Sequence, residues 1–170
     1  MSSALLPVLL AVIFLPALIL PAVLAVAGRL RARTGWLAMG APLLSTILLA
    51  WLVTQTGTRP RVLLDVPWVP EIGLRFSFLV DGLSVFYGFV ICGIGALVCW
   101  YAAEYLGGKY AHGRFHACLL LFMTAMLGTV FSDNLLLLFI FWEATGVASF
   151  LLIGFFHDKA ESRRGARQAL

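Results

Sequence analysis

Residues 139–151 read Phe139-Ile140-Phe141-Trp142-Glu143-Ala144-Thr145-Gly146-Val147-Ala148-Ser149-Phe150-Leu151. They sit in an apolar run from Leu135 to Phe156 whose only ionisable side chain is Glu143. Roughly 20 apolar residues suffice for a helix to cross a bilayer core of about 30 Å, so this run reads as a membrane span. An acid at the centre of such a helix costs about 2.5–3.5 kcal/mol on insertion scales, and such groups face a protein interior or a water-filled cavity. The segment is therefore expected to bury Glu143 against a partner.

The neighbours of Glu143 support that expectation. Gly146 stands one helical turn on, with Ala144, Ala148 and Ser149 close by, and small residues let another helix approach. Thr145 and Ser149 form an i, i+4 pair of hydroxyls, and Trp142 supplies a bulky wall. Burial raises a carboxyl pKa in general and a nearby cation lowers it. A membrane carboxylate between those influences can exchange protons. The competing reading is structural, a protonated Glu that hydrogen-bonds one helix to another.

Outside this run the composition extends the same theme. Of 170 residues, 62% are hydrophobic and 12% charged, with a mean hydropathy of +1.00; a soluble domain carries about a quarter charged residues. The fold class is all-α integral membrane, with five spans expected at about residues 4–27, 36–53, 79–102, 115–131 and 135–156. The first run lacks a basic n-region and is too long for a signal-peptide core. Pro7, Pro16 and Pro21 within it predict kinks, tolerated where neighbouring groups satisfy the freed carbonyls.

Loop charge sets orientation. Arg29, Arg31, Arg33, Lys109, Arg114, Lys159, Arg163, Arg164 and Arg167 fall on one side, against Arg59, Arg61 and Arg75 on the other. The N-terminus is thus expected outside and the C-terminus in the cytoplasm. The net charge of +4 does not form a basic stripe with interleaved aromatics, which argues against nucleic acid.

The long connection, residues 54–77, is expected to form an external β-hairpin. Ile72, Leu74, Phe76 and Phe78 alternate with Gly73, Arg75 and Ser77, Arg61–Val66 offers a partner strand, and Pro67-Trp68-Val69-Pro70 is placed in the turn. Ser132-Asp133-Asn134 joins spans four and five as antiparallel neighbours, with Asp133 and Asn134 as N-caps. Asp81 reads as a helix-start acid favoured by the macrodipole, with a role at an ion exit as the alternative. Residues 157–170 form a polar cytoplasmic connector that turns apolar at its end, like the approach to a further helix.

No enzyme motif is present: no G-x-S-x-G, H-E-x-x-H or P-loop, and no pair of membrane carboxylates. His116 is expected at the interface and His112 and His157 in connectors. Cys92, Cys99 and Cys118 lie in apolar runs without metal-ligand spacing and are expected to pack. No cofactor or metal is anticipated.

Three segments carry a resemblance: Phe78-Leu79-Val80-Asp81-Gly82-Leu83-Ser84, the run from Met126 through Ser132-Asp133-Asn134 to Phe141-Trp142-Glu143, and Ser149-Phe150-Leu151-Leu152-Ile153-Gly154-Phe155. They resemble the N-terminal part of the large A-type subunits of Mrp-type multisubunit sodium/proton antiporters and, less closely, the antiporter-like subunits of respiratory complex I. Val66-Pro67-Trp68-Val69-Pro70-Glu71-Ile72-Gly73-Leu74 favours the Mrp side. The resemblance implies a subunit of a monovalent cation (Na+)/proton antiporter in the cell membrane. Its partners would be other subunits of a hetero-oligomeric complex, membrane lipid, Na+ and H+. It also implies that Glu143 pairs with a lysine on a later, broken helix, which would lie beyond Leu170 with the rest of two inverted repeats. Thr145, Ser149 and Asp81 are secondary pathway candidates. The alternatives are a proton-pumping subunit of a redox-driven complex and a non-transporting membrane scaffold.

Overall fold

A computed structural model describes residues 5–30, 33–56, 61–105, 112–156 and 159–168. Five long helices carry the apolar runs: α1 (Leu5–Leu30), α2 (Thr34–Thr56), α3 (Gly82–Tyr105), α4 (His112–Phe131) and α5 (Leu135–Ile153). Each is long and apolar enough to cross a membrane. The expected spans differ mainly at their ends. A 3-10 turn, Gly154–Phe156, finishes the fifth run. The connector beyond it is helical, forming α6 (Ala160–Gln168); His157 lies outside the described residues.

Helices α2 and α3 turn many of their small residues inward. On α2 the buried positions include Gly35, Ala38, Ala41, Pro42 and Ser45, while Leu43, Leu44, Ile47 and Trp51 face outward. On α3 Ser84, Gly88, Cys92, Gly95, Ala96 and Cys99 are buried, and Phe86, Ile94, Leu97 and Trp100 are exposed. These small residues sit inward beside Leu49, Leu52, Val85 and Ile91, as expected where lipid is no less apolar than Leu and close backbone approach drives association. Cys92 and Cys99 accordingly act as small packing residues.

Helix α1 runs unbroken through Pro16 and Pro21. Pro16 has no N–H to give the Val12 carbonyl four residues earlier. Ser45 of α2 donates its hydroxyl to that carbonyl at 3.2 Å, so the neighbouring helix supplies the missing donor.

Between α2 and α3 lies an antiparallel two-stranded sheet, β1 (Arg61–Val69) and β2 (Leu74–Val80). Its turn is later than expected. Pro67 and Trp68 are inside β1, and the reversal is made by a 3-10 turn at Pro70–Ile72 and by Gly73. Register shifts between Val62 and Leu64 and between Pro67 and Val69 absorb the extra residues. Trp68 stacks on Phe76 with centroids 4.7 Å apart, which holds it in the strand. Gly73 has φ of 73°, a left-handed conformation that glycine adopts without steric cost. Leu79 and Val80 also belong to β2, so the third helix starts at Gly82 rather than Leu79.

The strand alternation breaks at Ser77, which is buried, whereas Ile72 is exposed. The cause is docking on the α4–α5 turn. The Asp133 N–H donates to the Ser77 carbonyl at 2.9 Å, and Ser77 Oγ donates to Asp133 Oδ2 at 3.2 Å. Phe78, almost fully buried, then stands against Phe14 of α1 and Phe141 of α5 at 6.5 and 6.3 Å.

Candidate functional site

Helix α5 begins at Asn134, whose side chain accepts from the Leu137 N–H at 3.1 Å and donates to the Gly73 carbonyl at 3.1 Å. Asn134 is thus the cap, while Asp133 serves the sheet instead. The start of α5 is thereby fixed to the hairpin.

Along its length α5 leans chiefly on α4, and only Leu137 and Ala148 of the helix are buried. Phe141 completes this seam against Gly128. A Cβ at Gly128 would lie 2.3 Å from the Phe141 ring, so the close approach requires glycine there. Leu137, Phe141 and Ala148 define the inward stripe. At 3.6 residues per turn, Glu143 points about 140° away from Ala148.

Glu143 is therefore exposed on the surface of this chain rather than buried within it. Among the described residues it makes no hydrogen bond or ion pair. Its flank is apolar and open: Leu136, Phe139, Ile140 and Val147 are exposed, and a Cβ at Gly146 would have no atom within 4 Å. The expected wall, Trp142, is itself 59% exposed and packs edge-on against Phe139.

The other expected pathway residues do not join Glu143. Thr145 bonds back to the Trp142 carbonyl at 2.6 Å and borders a groove of about 210 Å³ with Phe122, Met126 and Thr129. Ser149 lies about 120° around the helix from Glu143 and is half-buried. Asp81 is at the hairpin end, where it accepts from the Ser84 N–H at 2.8 Å while its own N–H donates to Ser84 Oγ at 2.9 Å. That reciprocal pair is a capping box. Asp81 also borders a cleft of about 240 Å³ with Tyr87 and Ser132.

His116 is fully buried between helices, with Nε2 3.4 Å from the Cys99 carbonyl. Gly35 makes room for it, since a Cβ there would stand 2.9 Å from the imidazole and 2.4 Å from Ala103 Cβ. Its place at the start of an apolar run suggests an interface; the glycine on the facing helix is the signal for burial. Among the described residues no three His, Cys, Asp or Glu side chains gather as a metal site.

Two family models match. One, described as NADH-Ubiquinone oxidoreductase (complex I), chain 5 N-terminus, covers residues 68–116. The other, NADH:quinone oxidoreductase/Mrp antiporter, TM, covers residues 132–170. The A1 subunit of the Na(+)/H(+) antiporter of Staphylococcus haemolyticus is 42% identical over 136 residues, 80% of this chain and 17% of that one. The A-type subunit of the Na(+)/H(+) antiporter of Alkalihalophilus pseudofirmus is 40% identical over 158 residues, 92% of this chain and 19% of the relative. Among solved structures, the Mrp complex from Dietzia sp. superposes with a TM-score of 0.79 at 27% identity, covering 97% of this chain and 17% of that chain. The chain thus spans less than a fifth of the length of these relatives. With five helices long and apolar enough to cross a membrane and both family segments in sequence, this chain is similar to the A-type subunits of Na+/H+ antiporters.

Proposed function

We propose that this chain is part of a subunit of a monovalent cation (Na+)/proton antiporter and that Glu143 is its ionisable group on the ion path. The observation that carries the reading is the position of Glu143, near the middle of a membrane helix and facing away from the rest of the chain. Leaving a carboxylate there against lipid is costly, so the counter-charge or water cavity comes from outside these residues. A cation brought next to Glu143 stabilises its ionised form, and withdrawal of that cation favours protonation. Coupling that alternation to sodium movement gives exchange. Thr145, Ser149 and Asp81 are supporting polar positions in this reading. The protein works in the cell membrane with other subunits, N-terminus outside and C-terminus cytoplasmic.

The test is Glu143→Gln in the assembled complex, assayed as sodium-dependent collapse of a proton gradient in everted vesicles. Exchange should fall to near background while assembly persists. Undiminished exchange would remove Glu143 from the path.

The match of residues 68–116 to a complex I segment supports a second reading, a proton-pumping subunit in a redox-driven complex. The purified assembly decides between them: flavin or iron–sulfur absorbance belongs to the second reading alone.

A further inference from the structure

At the end of the bundle opposite the hairpin, α4, α5 and α6 enclose a cleft of about 300 Å³ lined by Arg114, Arg163, Arg167, Phe150, Leu151 and Ala166, together with Gly154. Local structure brings the three arginines together. Arg114 is in the first turn of α4, and Arg163 and Arg167 are one turn apart on α6. The short α6 is folded back on α5: Ser162 Oγ donates to the Ile153 carbonyl, and Ala166 is buried with its Cβ 3.4 Å from where a Cβ on Gly154 would stand.

Among the described residues no carboxylate lines the cleft, and neither Arg114 nor Arg167 has an ion-pair partner. Arg114 and Arg167 thus bring uncompensated positive charge to the same cleft as Arg163, an arrangement that favours an anion. The guanidinium fork matches two phosphate oxygens at once. The apolar part of the lining, Phe150 and Leu151, belongs to α5, an apolar helix. One end of the site thus suits a phosphodiester and the other a hydrocarbon chain. Its position at the end of a membrane span is where basic pockets meet lipid headgroups.

We propose that this cleft binds an anionic glycerophospholipid of the adjoining leaflet, its phosphodiester held by Arg114, Arg163 and Arg167 and its acyl chain laid along Phe150 and Leu151. The site does not depend on ion exchange at Glu143 and stands or falls separately.

The experiment uses the full-length protein in its complex, in nanodiscs containing phosphatidylglycerol or phosphatidylcholine with a photoreactive diazirine in the acyl chain. Crosslinking is scored by mass spectrometry on the peptide carrying Phe150 and Leu151. Phosphatidylglycerol should label that peptide about tenfold or more above phosphatidylcholine. The double variant Arg114→Gln/Arg167→Gln should lose most of that preference, and Arg114→Lys/Arg167→Lys should keep most of it. Equal labelling by the two lipids, or full labelling of an assembled glutamine variant, would overturn the proposal. Inorganic phosphate that displaced the lipid at millimolar concentration would make this a free-anion site and overturn the lipid assignment. If the glutamine variant does not assemble, the comparison of the two lipids on the unmodified complex decides.

Discussion

Ser77 and Asp133 are joined twice across 56 residues of sequence, once backbone to backbone at 2.9 Å and once side chain to side chain at 3.2 Å. The pair fastens β2 to the turn between α4 and α5, and Asn134 adds a bond from the same turn to Gly73. An isolated two-stranded hairpin is marginal in water, so the sheet takes its order from this attachment and from Phe78 between Phe14 and Phe141.

Removing the side-chain bond with Ser77→Ala should therefore loosen the hairpin modestly, by about 0.5–1.5 kcal/mol. Asp133→Pro also deletes the N–H that Ser77 accepts and should loosen it more. Hydrogen exchange of the amides in residues 74–80 of the intact complex measures both. Faster exchange in the order wild type, Ser77→Ala, Asp133→Pro is expected, and equal protection in all three would contradict the attachment.

Ser45 and Pro16 make a second, reciprocal prediction. With Ser45→Ala the Val12 carbonyl has neither the α2 hydroxyl nor the intrahelical N–H that Pro16 lacks. A buried orphan of this kind costs about 1–3 kcal/mol. Pro16→Leu restores an N–H within α1, so Ser45→Ala should be nearly silent in that background. Thermal melting of all four combinations gives the coupling directly. Equal costs of Ser45→Ala with and without Pro16 would show that the hydroxyl does not serve that carbonyl.

The five membrane helices are legible in the sequence because long apolar runs separated by charge leave few alternatives at this length. The family is legible in the segments around Asp81, Asn134 and Glu143. Strand ends are less so, because Leu79 and Val80 are as apolar as the helix that follows, and only the capping pair Asp81 and Ser84 marks the boundary. Asp133 and Asn134 look equivalent as caps; docking of β2, a long-range event, gives them different tasks. The face of α5 that carries Glu143 differs from expectation for a related reason. Small residues at 144, 146, 148 and 149 indicate close packing, but only the α4 seam reveals that Ala148 faces inward and Gly146 toward open space.

Loop charge gives a topology that labelling can check. Glu71 in the hairpin turn and Glu161 on α6 are both exposed and lie at opposite ends of the helices. With the N-terminus outside, Glu71→Cys should react with a membrane-impermeant maleimide in intact cells. Glu161→Cys should react only after permeabilisation. The reverse pattern would invert the orientation and move the arginine cleft to the other leaflet.

Asp65 and Arg75 supply a pH prediction confined to the hairpin. Arg75 Nε and Nη2 donate to the two Asp65 carboxylate oxygens at 2.6 and 2.8 Å. These bonds hold the Asp65 carboxyl below its ordinary value against an opposing effect of desolvation, with a lesser contribution from the guanidinium charge. The same pairing raises the Arg75 pKa, already far above neutrality. Because the folded-state value of Asp65 is depressed, its contribution is fully present above the ordinary carboxylate pKa of about 3.9 and is lost as pH falls through the lower folded value. The pair is solvent-exposed, so its effect is small and weakened by salt. Asp65→Asn should therefore melt slightly below wild type at about pH 6 and low salt. The difference should shrink in high salt and vanish as pH drops below the folded-state value. A gap between the two melting curves that persisted in strong acid would assign the stabilisation to something other than the Asp65 charge.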